Sequence, residues 1–202
     1  MKRPFLRAGA GAMLLVAALF FLGSGENIAA LVMPVAAHEL GHLLALWLLG
    51  LPVRCFRIEL RGFCIEYGGS TGALGHAFAA AAGPLAGIAY AFAASRLAGR
   101  LGTDWFHLTA GISILLSLFN LLPALPLDGG VILLQLSSAI LGEKRGRLLT
   151  ESLGLVVGAA LLGGGFYLML QGHGLALELA AIWLLLSQES EGQGLVKTPK
   201  MI

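Results

Sequence analysis

Two histidines four residues apart, with a glutamate beside the first, stand at His38, Glu39 and His42. Four residues of α-helix advance the chain by about 6 Å and just over one turn, so both imidazoles project from one face and can grip a single metal ion. Glu39 then lies beside the site as candidate base for a water on that metal, the arrangement of metal-assisted hydrolysis. HExxH alone is short enough to occur by chance, so a third ligand is needed before the pattern carries weight.

Asp128 is the candidate. The segment from Asn120 to Gly130 breaks an apolar region with Pro123, Pro126, Gly129 and Gly130, so its backbone cannot be continuous helix. A carboxylate there needs a positive partner, and no Lys or Arg lies in the neighbouring apolar stretches. A divalent cation held by two histidines supplies one. Blander roles compete: His38 and His42 as packing histidines, Asp128 as N-cap of a half-helix from Val131 to Leu141, and Asn120 as a hydrogen bond between helices. His76, His107 and His173 have no second ligand four residues on and read as interfacial, while Glu178 reads as structural. Gly83-Pro84-Leu85-Ala86-Gly87 reads as a kink with a surface of small residues that permits close backbone approach.

The elements that must position these groups are membrane spans. Of 202 residues, 57% are hydrophobic and 12% charged, and the mean hydropathy is +0.86, far outside the range of soluble domains. A hydrocarbon core of about 30 Å needs ~20 apolar residues per helix, which leaves room for five or six spans and no second sizeable domain. Apolar stretches cover residues 8–22, 27–51, 72–95, 105–122, 131–141 and 148–187. The last holds two spans, broken at either Gly163-Gly164-Gly165 or the segment from Gln171 to Gly174. Counting back from Gly50 puts the histidines roughly 12 to 18 Å below the membrane surface. Ionisable groups at that depth mark a functional site with partners, and non-helical backbone there must be buried in protein or line a cavity.

Lys and Arg set the orientation. With both termini in the cytoplasm, eleven of the thirteen fall inside and only Arg96 and Arg100 outside. The first stretch also fits a secretory signal peptide, and its cleavage would leave the second span's orientation unchanged. Residues 53–67 alternate with period two, Phe56, Ile58 and Leu60 on one strand and Phe63, Ile65 and Tyr67 on another across a turn at Arg61-Gly62, predicting an amphipathic β-hairpin at the cytoplasmic membrane surface. It is either a plain connector or a sheet edge able to pair with an extended substrate. Cys55 and Cys64 form neither a disulfide framework nor a CxxC motif and read as reduced thiols. A net charge of +2 with no basic run gives no sign of nucleic acid. The expectation is an all-α polytopic membrane protein of about six transmembrane helices plus the hairpin, one domain over 1–202 with a short cytoplasmic tail at 188–202.

Taken together, His38-Glu39-Leu40-Gly41-His42, Gly83-Pro84-Leu85-Ala86-Gly87 and Asn120 through Gly129 resemble, in order, the HExxH, GPxxG and NxxPxxxxDG-like elements of the site-2 protease family of intramembrane metalloproteases. The resemblance spans about residues 27–141. It implies one zinc ion on His38, His42 and Asp128, catalysis by Glu39, and a role for Asn120 in holding substrate or oxyanion. It also implies a membrane-tethered protein as substrate, cut in regulated intramembrane proteolysis, and a place in a bacterial cytoplasmic membrane. No insert is large enough for a PDZ domain and nothing after Glu189 suffices for a CBS module, so the chain looks like a minimal core related to the sporulation branch. A membrane metal transporter and a catalytically silent scaffold are the competing classes; a single cluster with its own base argues against the first, and intact motifs against the second.

Overall fold

The computed structural model describes residues 6–8, 25–59, 62–69, 71–172 and 176–194. Its elements are β1 (Leu6–Ala8), α1 (Gly25–Leu48), β2 (Val53–Glu59), β3 (Gly62–Tyr67), α2 (Ala73–Leu101), α3 (Asp104–Asn120), α4 (Asp128–Leu141), α5 (Glu143–Leu170) and α6 (Ala176–Gly194). Apart from Ala8, the apolar stretch at 8–22 expected to form the first span lies outside the described residues. Among the described residues, three helical segments are long and apolar enough to cross a membrane: Ile28–Leu48, Ala73–Leu101 and Glu143–Leu170. Leu148, Leu155, Val156, Phe166, Tyr167 and Leu170 of α5 are all exposed, as expected where lipid is the solvent.

Packing divides the chain into two compact units. The first takes the described residues up to Thr71 together with 78–120. Its sheet has the order β1-β2-β3. β2 and β3 run antiparallel, with Phe56 opposite Ile65 and Ile58 opposite Phe63. Gly62 pairs with Glu59, and Arg61 of the turn read at Arg61-Gly62 lies outside the described residues. Cys55 is opposite Glu66 and Cys64 opposite Arg57, so the two cysteines are not paired in the backbone register. β1 adds in parallel beside β2, Leu6 opposite Phe56; the basic start of the chain gave no sign of it, because three residues are too few to show a period.

Ala45, Leu46, Leu51, Ile65, Tyr67 and Ala79 form the core that ties the end of α1 and the sheet to α2. Polar side chains join α2 to α3: Tyr90 and Thr109 share a hydroxyl hydrogen bond of 2.6 Å, and Ser113 Oγ donates to the Gly87 carbonyl at 2.8 Å. In lipid such pairs replace part of the cohesion that water would provide.

The second unit comprises 72–77 and the chain from Leu121 on. Ser137 Oγ of α4 donates to the Gly146 carbonyl of α5 at 3.2 Å, binding the two helices, and Thr150 Oγ1 donates to the same carbonyl at 3.0 Å within α5. α5 passes unbroken through Gly163-Gly164-Gly165 and stops at Leu170, followed by Gly172 at φ +82°. The glycine run serves packing instead: a Cβ on Gly165 would lie 2.9 Å from the backbone N and Cγ of Glu178. α6 continues to Gly194, into the segment read from the sequence as a tail at 188–202. The polar residues there end the apolar run without ending the helix, since Gln and Glu are good helix formers.

Candidate metal centre

His38 and His42 sit mid-way along α1, whose Ala- and Leu-rich sequence favours helix and whose Pro34 is tolerated as proline is within membrane helices. Both rings are buried, 4% and 3% exposed. Their Nε2 atoms face one another at 3.2 Å and the ring planes cross at 79°. His42 Nδ1 lies 2.8 Å from the Ala79 carbonyl of α2. A carbonyl only accepts, so Nδ1 carries a hydrogen, and in the neutral ring Nε2 keeps its lone pair. That is the state a metal ligand requires, with the ring oriented by a backbone partner.

Between α3 and α4, residues Leu121–Leu127 leave the helix, and the Leu125–Pro126 peptide is cis. Ala124 N donates to Leu122 O and Leu127 N to Ala124 O, 2.8 and 2.9 Å, folding the segment tightly. A Cβ on Gly129 would meet the Leu121 carbonyl, and one on Gly130 the backbone of Ala124. Only glycine allows the loop to lie back on the first turn of α4. Leu127 occupies the N-cap position and α4 starts at Asp128, so Asp128 is a first-turn residue and not the cap of a helix beginning at Val131. It is 7% exposed.

The ligand atoms of His38, His42 and Asp128 all lie within 4.8 Å of one another. They form the one group of three or more metal-capable side chains among the described residues. Glu39, next to His38, is half-buried. Asn120 ends α3 with its Nδ2 donating to the Leu116 carbonyl at 3.0 Å, a bond within its own helix and not between helices. His76 and His107 join no such group, and His173 lies outside the described residues. The partner that the sequence did not reveal is the Ala79 carbonyl, because a backbone acceptor leaves no mark on residue type.

Two imidazoles and a carboxylate match the three-ligand donor set of a catalytic zinc site that keeps a fourth position open.

The family model for Peptidase family M50 matches residues 82–164. That stretch includes Gly83, Asn120 and Asp128, while His38, Glu39 and His42 precede it. Among solved structures, the site-2 protease from Methanocaldococcus jannaschii is similar over 99% of this chain and 96% of that chain, at 20% identity and a TM-score of 0.73. No curated protein matches by sequence.

Proposed function

We propose that this chain, which carries the Peptidase family M50 signature on the site-2 protease fold, is an intramembrane zinc endopeptidase cutting a peptide bond within or near the transmembrane segment of a membrane-tethered protein. The observation that carries the reading is the convergence of His38, His42 and Asp128, buried, with Glu39 alongside. When bound there, zinc supplies Lewis acidity and lowers the pKa of water to about 7. The Glu39 carboxylate takes the proton from the attacking water and returns it to the leaving amine. Asn120 Nδ2 has a second hydrogen beyond the one given to Leu116, and offers it to the oxyanion that develops on the scissile carbonyl.

A helical substrate keeps its amides in internal hydrogen bonds, so it must unwind before the carbonyl is accessible. In this reading β3, at the edge of the sheet, pairs with the extended stretch. Both termini lie in the cytoplasm, and the physiological role is regulated intramembrane proteolysis.

Co-expression of wild type and Glu39→Gln with candidate tethered substrates, followed by mass mapping, tests the assignment. Wild type gives a defined cut and Glu39→Gln none, although the variant still holds zinc. Metal transport that persists in Glu39→Gln, with no cut by wild type, overturns it.

A further inference from the structure

Gly83 of α2 faces the metal-directed edge of His42. A Cβ built on Gly83 would fall onto Nε2, Cε1 and Cδ2 of that imidazole. Ala79, whose carbonyl lies 2.8 Å from His42 Nδ1, is one helical turn earlier on the same face of α2. The ring is therefore held at both nitrogens' sides by one helix, with a hydrogen bond at Nδ1 and a missing side chain at Nε2. Pro84 follows on the same turn and has no N–H to give the Ala80 carbonyl.

We propose that Gly83, together with the Ala79 carbonyl, positions His42 as a metal ligand, fixing the Nδ1–H tautomer and reserving for the ring the volume a side chain at 83 would take. The inference rests on the zinc reading above and adds α2 to the metal-binding apparatus, although α2 contributes no ligand to it. Plain close packing is the competing explanation, and the same helix contains its control. A Cβ on Gly87 would collide just as closely with Ser117 Oγ of α3, but Ser117 is no ligand. If glycine at these positions serves only helix approach, Gly83→Ala and Gly87→Ala behave alike. If Gly83 serves His42, they separate.

The experiment is zinc binding by the purified full chain in detergent, titrated against a chelator-buffered zinc series, with helix content followed by circular dichroism. Outer partners of metal-bound histidines are typically worth about 10–100-fold in metal affinity. Gly83→Ala is expected to weaken zinc binding by that order while retaining its helix content, and Gly87→Ala to bind zinc like wild type even if it melts earlier. Equal zinc affinity in Gly83→Ala and wild type, or equal losses in both variants, overturns the proposal. Should Gly83→Ala fail to fold, ¹⁵N-histidine NMR of the wild type decides: hydrogen on Nδ1 and metal on Nε2 of His42 supports the proposal, and the reverse arrangement refutes it. Wild type that binds no zinc under any of these conditions defeats the underlying zinc reading, an outcome distinct from wild-type binding that Gly83→Ala leaves unchanged.

Discussion

The Nε2 atoms of His38 and His42 are 3.2 Å apart, and the hydrogen on His42 is committed to Ala79 at the opposite side of its ring. One lone pair is thus fixed in direction before any cation arrives, which lowers the entropic cost of assembling the site. In the proposed zinc site, replacing either histidine by alanine removes a ligand outright. Zinc affinity is expected to fall by more than the ~10–100-fold that outer partners are worth, as read by competition with a chromogenic chelator. Variants with wild-type affinity would show that the pair is a packing contact.

Tyr67 sets an alkaline limit on the sheet. Its phenol is buried against the end of α1, and burial pushes its pKa up from 10.0 to about 12. The folded state therefore keeps this proton to higher pH than the unfolded chain. The stabilisation is complete below about pH 10 and is lost as pH rises through about 12. Unfolding midpoints measured across that window should fall in wild type and fall less in Tyr67→Phe. Identical slopes would remove Tyr67 as the cause.

Two glycines in the second unit predict opposite outcomes for the same substitution. Gly129→Ala drives a methyl into the Leu121 carbonyl, and overpacking of this kind costs about 1–3 kcal/mol. Gly163 has nothing within 4 Å of its Cβ position and lies inside α5, so Gly163→Ala should stabilise by about 0.5–1 kcal/mol. Thermal unfolding in one detergent orders them; destabilisation by Gly163→Ala would mean that the run at 163–165 has a role beyond the Gly165 contact with Glu178.

Cleavage should depend on how readily the substrate unwinds. Helix-breaking residues near the scissile bond spare the enzyme the cost of opening internal hydrogen bonds in lipid, so replacing them with Ala or Leu should slow the cut several-fold relative to the parent sequence. Rates that ignore these replacements would point to a substrate already extended outside the bilayer.

The grouping of His38, His42 and Asp128 was legible in the sequence because its signals are local. His38 and His42 share a face by simple helical spacing, and Asp128 opens α4 directly after the segment that Pro123 and Pro126 keep out of helix. The strands β2 and β3 showed their period, whereas β1 was too short to have one. The break in the last apolar stretch was undecided because a glycine run reads equally as a stop or as a packing surface. In the structure Gly165 makes room for Glu178, and the helix ends only at Leu170. Ala79 and Gly83 acquire meaning only when α2 is laid against α1, since one acts through its backbone and the other through the side chain it lacks.

The central claim is that Asp128 joins His38 and His42 on a common cation. The most direct measurement is the zinc content per chain of purified wild type and Asp128→Ala after dialysis against the same low zinc concentration. One zinc per wild-type chain, removable by chelator with loss of cleavage, and a largely empty Asp128→Ala is the predicted result. Wild type devoid of metal and indifferent to chelators, or Asp128→Ala retaining a full complement, would contradict it.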